Sequence, residues 1–170
     1  MSEVAVFPAA GKQLYTREQR EKRDNTSWTI VQGILAPVQF IVFLVSCALI
    51  ARFVVTGAGY EIAALSIVVK TLVLCVIMIT GAIWEKEVFG QYLFADSFFW
   101  EDVVSFFVIA LHLAYVVVLL GSSLSHDIQI LIAIAAYSAY VINAIQFLLK
   151  FRAARLASES PPPISDGATV

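Results

Sequence analysis

The sequence predicts an all-α integral membrane protein, a bundle of four transmembrane helices with both termini in the cytoplasm. Three observations carry that reading. The 170 residues are 60% hydrophobic and only 14% charged, which is not the balance of a water-soluble domain. Four apolar runs are each long enough to cross about 30 Å of hydrocarbon. The cations are also segregated, nine of the eleven Lys and Arg lying before Trp28, within Gly81 to Asp102, or after Leu149. Basic residues before the first span, between the second and third, and after the fourth set both termini on the cytoplasmic side. This charge pattern sets topology and, with a net charge of −2, gives no sign of a nucleic-acid partner. The chain divides into a basic N-terminal segment (1–27), a transmembrane domain (28–151) and a disordered cytoplasmic tail (152–170).

Met1 to Gln13 read as unstructured, and Thr16 to Gln19 offer a capping box for a short basic helix ending near Asp24. Arg17, Arg20, Lys22 and Arg23 would anchor it at lipid headgroups. The first long apolar run begins only at Trp28, after this basic segment, and outlasts a signal peptide, so it is expected to be a retained span. Span one covers about 28–55, opened by Thr26 and Ser27 as candidate caps and closed by Gly57 and Gly59. Gln32, Gln39 and Ser46 recur every seven residues and so share a face, and Pro37 is expected to kink the helix between the glutamines. Span two covers about 60–84. It carries Lys70 about 15 Å from its start, a depth at which an unpaired cation is costly, so Lys70 needs a partner or a neutral state.

Span three covers about 98–120. Glu101 and Asp102 occupy its first turn, where negative charge suits the helix dipole, while Glu101, Ser105 and His112 share one face. His112 lies about 20 Å along the span, deep enough to meet Lys70. Span four covers about 128–149 with Asp127 as candidate cap, and Tyr137, Tyr140, Asn143 and Gln146 form a partly polar face. Lys150, Arg152 and Arg155 stop it at the surface, before a tail with three consecutive prolines. Cys47 and Cys75 both lie within apolar runs, where a thiol behaves as a small hydrophobe, so no disulfide or thiol chemistry is expected.

The stretch Gly81 to Asp102, GAIWEKEVFGQYLFADSFFWED, places Glu85, Glu87, Asp96, Glu101, Asp102 and Lys86 between two spans, bracketed by Trp84 and Trp100. Tryptophans favour the hydrocarbon–headgroup boundary, so the stretch reads as a short excursion between membrane helices. The predicted topology brings Gln32, Gln39, Glu85, Glu101, Asp102, Asn143 and Gln146 to a similar depth from four helices, as a candidate pocket open to the cytoplasm. Paired carboxylates in an apolar surround split their pKa values, so that one can donate a proton while another accepts one.

LYTREQREKRD at Leu14 to Asp24, WTIVQGILAPVQFIVFLVS at Trp28 to Ser46, the run from Ile67 to Ser105 containing WEKEVFGQYLF and FFWED, and AYVINAIQFLLKFRAARL at Ala139 to Leu156 closely resemble the 3-vinyl bacteriochlorophyllide hydratases, called 2-vinyl hydratases in older ring numbering. The resemblance covers nearly the whole chain except Met1 to Gln13 and the proline tail. It implies a small enzyme of bacteriochlorophyll synthesis in the inner, intracytoplasmic membrane of phototrophic bacteria, alongside other pigment-synthesis enzymes. It implies water addition to the C3 vinyl group of a chlorophyllide, with no cofactor. Such hydration needs a proton delivered to the terminal carbon, a cation spread over the macrocycle, and a base-positioned water. Glu85, Glu101 and Asp102 are the acid and base candidates, and Gln39 and Asn143 are candidate ligands for water or a carbonyl. Lys70 is a candidate partner for a substrate carbonyl or carboxylate, and His112 a candidate ligand to the substrate's magnesium, the protein having no metal of its own.

The main rival is a non-enzymatic tetrapyrrole-binding or assembly subunit, which would need no acid and base. A proton-coupled exporter built around a carboxylate in the first span has no counterpart here. A membrane haem protein wants histidines on facing helices at matched depth, whereas this chain offers His112 and the loop residue His126.

Overall fold

A computed structural model describes residues 14–121 and 124–159, with side chains described as far as Leu156. Residues 1–13, and 160–170 of the expected tail, lie outside the described part. The described residues form five helices and no strand: α1 (Arg17–Asn25), α2 (Ser27–Thr56), α3 (Tyr60–Phe89), α4 (Phe99–Gly121) and α5 (His126–Glu159). The last four are long and apolar enough to cross a membrane.

Local chemistry sets the helix ends. The capping box forms, Gln19 N donating to Thr16 Oγ1 at 3.2 Å and Thr16 N to Gln19 Oε1 at 2.9 Å. Thr26 closes α1 and caps α2, its side chain accepting from Trp28 N. Gly57 and Gly90 end α2 and α3 in the left-handed region, at φ 68° and 87°, which glycine enters without a Cβ clash. Pro37 lies inside α2.

Three boundaries differ from the sequence reading. Helix α3 runs to Phe89 rather than Trp84, because the left-handed cap is Gly90 and Lys86 Nζ donates to Gly90 O at 2.8 Å. Glu85, Lys86 and Glu87 are therefore helical. Helix α5 begins at His126, leaving Asp127 in the first turn. It then passes Leu149 to reach Glu159, since its last turns are rich in Ala, Arg, Lys and Leu, all good helix formers. Surface charge ends the apolar segment without ending the backbone ladder.

The spans form two antiparallel hairpins, α2 with α3 and α4 with α5. Side-chain bonds fix the first register: Thr26 Oγ1 donates to Glu87, Trp84 Nε1 to Thr29 Oγ1 at 2.9 Å, Gln32 Nε2 to Thr80 Oγ1 at 2.7 Å, and Ser46 and Ser66 share a bond at 2.7 Å. Lys150 with Glu101, Asn143 with Ser105, and Tyr137 with His112 fix the second. Backbones are close within each hairpin, whereas the hairpins meet largely through side chains, such as Phe43 against Tyr137 and Tyr140 at ring distances of 5.3 and 4.9 Å.

Polarity is inverted relative to a soluble protein. Ile34, Leu72, Ile79, Val117 and Leu131 are each at least 60% exposed, while Ser46, Lys70 and His112 are fully buried. Only a lipid surround makes that arrangement favourable. The chain is a multi-pass membrane protein.

A candidate carboxylate site at one end of the bundle

The extra turn of α3 carries Glu85 against the first turn of α4. Glu85 and Asp102 are both buried, at 5% and 4% exposure, and their carboxyl groups are close enough to interact electrostatically. Two negative charges buried this close disfavour each other, so one of the two groups holds a proton.

The loop after Gly90 folds back over this pair. Phe94 N donates to Asp102 Oδ2 at 2.7 Å and Ala95 N donates to Glu85 Oε2 at 3.4 Å. Phe94 adopts φ 60°, a left-handed conformation that strains a bulky residue by about 1–3 kcal/mol. The charge-assisted bond to Asp102, worth about 1.5–3 kcal/mol, offsets that strain. Phe94 also stacks on Phe106 at 5.5 Å. The carboxylates thus organise the loop that covers them.

Aromatic rings close the same end. Phe98 is buried and contacts Trp84, Phe89 and Phe147, with ring distances of 5.7, 5.7 and 6.2 Å. Tyr15, just before α1, stacks on Phe89 at 5.7 Å, and Ser97 Oγ donates to Leu14 O at 2.9 Å. Burial pushes the Tyr15 phenol up to about 12, so it stays neutral. The N-terminal helix is thereby pinned across the site.

Glu101 behaves differently from its neighbour. It accepts from Lys150 Nζ at 2.5 Å, and Lys150 also lies 4.9 Å from the centre of the Phe98 ring. Below this layer Asn143 Nδ2 donates to Ser105 Oγ at 2.9 Å, and Asn143 Oδ1 has no partner among the described residues. Gln32 is used in bonding Thr80.

Gln39, Lys70 and His112 lie deeper. Lys70 Nζ stands 3.5 Å above the Tyr140 ring, and His112 Nδ1 bonds Val108 O at 2.8 Å. The cation partner expected for Lys70 is therefore an aromatic face, with His112 close enough to interact electrostatically. Glu87 and Asp96 are exposed, although Glu87, expected in the loop, sits on α3. An open cavity of about 520 Å³ lies at the opposite end, beside Tyr60, Glu61 and His126, away from every carboxylate of the pair.

Residues 15–153 match the family described as 2-vinyl bacteriochlorophyllide hydratase. The chain belongs to that family. It is 60% identical over 149 residues to the 2-vinyl bacteriochlorophyllide hydratase of Rhodobacter capsulatus, covering 88% of this chain and 86% of the relative. It is 59% identical over 154 residues to the protein of the same description from Cereibacter sphaeroides, covering 90% and 96%. No solved structure matches.

In this member of the hydratase family, the structure brings together Glu85 and Asp102 from the sequence-derived set, turns Glu101 toward Lys150, and leaves Gln39, Lys70 and His112 in a separate layer. Sequence reasoning missed three contributors: the amides of Phe94 and Ala95, and Lys150. Lys150 carried a usable signal, being the first charge after its apolar run at the end where Glu101 begins the opposing one. The amides carried none, since any residue supplies an N–H and only the loop path aims it.

Proposed function

We infer that this protein is a hydro-lyase that adds water across the C3 vinyl group of a chlorophyllide or bacteriochlorophyllide, giving the 3-(1-hydroxyethyl) product in bacteriochlorophyll synthesis. Family membership over nearly the whole chain carries the reaction. The single structural observation that supports its chemistry is the buried, interacting pair of Glu85 and Asp102.

The protonated carboxyl group of the pair gives its proton to the terminal vinyl carbon, and the π electrons form the new C–H bond. The positive charge left on the inner carbon is delocalised into the macrocycle. A water molecule adds there, and the ionised partner takes its surplus proton. The pair begins and ends the cycle with one proton between its two carboxyl groups. Two carboxylates held together therefore fit the reaction better than one, because no proton has to be exchanged with bulk water. The Phe94 and Ala95 amides hold both groups in place, and the aromatic cover keeps stray water from the cation. The substrate, a flat apolar ring, reaches such a site from the membrane. We place the protein in the inner, intracytoplasmic membrane, with the α3–α4 loop and both termini cytoplasmic, consistent with the Lys and Arg distribution.

Incubating the purified protein with 3-vinyl chlorophyllide should yield a product heavier by one water. In heavy water the terminal methyl should carry one deuterium, and in oxygen-18 water the hydroxyl should be labelled. Pigment that binds without gaining water would instead establish a tetrapyrrole-binding subunit.

A further inference from the structure

The bundle holds a second polar layer that the hydration step does not use. Gln39 of α2, Lys70 of α3 and His112 of α4 are at most 2% exposed. Gln39 Oε1 and Nε2, Lys70 Nζ and His112 Nε2 all lack a hydrogen-bond partner among the described residues. Burying an unpaired polar group is costly, most of all for a charged one, and native cores rarely keep one. Here three helices each contribute one to the same layer. Lys70 and the Gln39 amide are donors. His112 donates Nδ1–H to Val108 O, so its Nε2 presents a lone pair that can accept from Lys70. This is a cage for an oxygen atom brought from outside.

Its distance from the carboxylates is informative. His112 and Asp102 are ten residues apart on α4, about 15 Å along the helix, and Lys70 and Glu85 are fifteen apart on α3, about 22 Å, of which an extended lysine side chain can span about 6 Å. In a chlorin, the vinyl terminus and the oxygen-bearing edge across the ring are each about 7 Å from the centre by ordinary bond lengths, so about 14 Å separates them. The two layers therefore match the two ends of one macrocycle. Setting the ring's magnesium on His112 would instead strand the vinyl group about 8 Å short of the carboxylates, by the same rise and bond lengths.

We propose that Gln39, Lys70 and His112 bind the oxygen-bearing edge of the chlorin opposite its vinyl group, so that the macrocycle lies lengthwise between the two hairpins. The assignment rests on the hydratase reading above. At the deeper layer the hairpins meet through Phe43, Tyr137 and Tyr140, the tyrosines lying against His112 and Lys70, and these rings offer flat apolar faces to the edge of a flat substrate. The ring centre then falls near the level of Asn143, whose Oδ1, unpartnered among the described residues, is the kind of hard oxygen donor that magnesium takes.

The test is binding of 3-vinyl chlorophyllide to the full-length protein in detergent, followed by pigment fluorescence. Lys70→Met should weaken Kd about tenfold to a hundredfold, the range for a hydrogen bond to a charged group, and Lys70→Arg should recover part of the loss. Two analogues identify the atom, one with the ring ketone reduced and one with the propionate methyl-esterified. If the ketone is the partner, the Lys70→Met penalty disappears with the first analogue; if the carboxylate is, it disappears with the second. Either result supports the proposal. A penalty that persists in full with both analogues overturns it, as does wild-type affinity in Lys70→Met. A magnesium-free chlorin that loses affinity only when His112 is intact would place the metal at His112 and overturn the lengthwise placement. Because the readout is affinity, it is independent of turnover: loss of the acid–base reading would show as full hydration in Glu85→Gln and Asp102→Asn, with Lys70-dependent binding unchanged.

Discussion

Replacing Asp102 by asparagine separates the chemistry of the site from its architecture. The carboxamide oxygen of the new side chain can still accept from Phe94 N, which bonds Asp102 Oδ2 at 2.7 Å in the native protein, so the covering loop should keep its path. What disappears is the ability to hold or take a proton. A general acid or base contributes about 10²- to 10⁴-fold in rate, equivalent to about 2.7–5.4 kcal/mol of barrier at 1.36 kcal/mol per tenfold. Asp102→Ala should cost as much in kcat and also remove the bond, worth about 1.5–3 kcal/mol, that holds Phe94 in its left-handed conformation. Hydrogen exchange over residues 90–98 should therefore stay protected in Asp102→Asn and rise in Asp102→Ala. Glu85→Gln should resemble Asp102→Asn, and the double variant should be little worse than either single one, because residues acting as one unit are not additive. Turnover is read by product mass and by the change in pigment absorption when the vinyl group leaves conjugation. Near-normal kcat in both single variants would refute the proton-sharing mechanism, and Lys70, His112 or the tyrosines of α5 would become the next candidates.

Glu101→Gln and Lys150→Met should lower kcat to similar, modest extents, about tenfold or less, since a partly exposed ion pair is worth on the order of 1 kcal/mol; a loss in Glu101→Gln as deep as in Asp102→Asn would make Glu101 the acid or base instead. Glu87→Gln and Asp96→Asn should be milder still, both residues being exposed, and a large kcat loss in either would move the chemistry into the loop. Lys70→Met should raise the thermal midpoint of the pigment-free protein, because it removes a buried amine with no hydrogen-bond partner among the described residues; a lowered midpoint would show that the contact with Tyr140 stabilises the fold. Reporter fusions at Gly57 and Ser125 should appear on the side opposite the termini, and a cytoplasmic signal from either would reverse the orientation proposed from the Lys and Arg pattern.

The amino-acid sequence alone sets the four spans, the capping box at Thr16 and Gln19, and the glycine stop at Gly57. These depend on local composition, on hydropathy over a span, or on one residue's backbone freedom, all of which are written in consecutive positions. It also put Glu85, Glu101 and Asp102 at one end of the bundle and Lys70 and His112 deep within it, because depth follows from counting residues along a helix. The ends of α3 and α5 were less legible, since hydropathy reports where lipid stops rather than where the backbone ladder does. Pairing was not written in the order of residues at all. Glu101 and Asp102 are adjacent, yet successive residues on a helix point about 100° apart; only the packing of α3 and α5 decided that Asp102 meets Glu85 while Glu101 meets Lys150. The fold-back of Phe94 and Ala95 onto the carboxylates, and the gathering of Gln39, Lys70 and His112 into one layer, likewise depend on how the two hairpins pack, and only the tertiary structure supplies that.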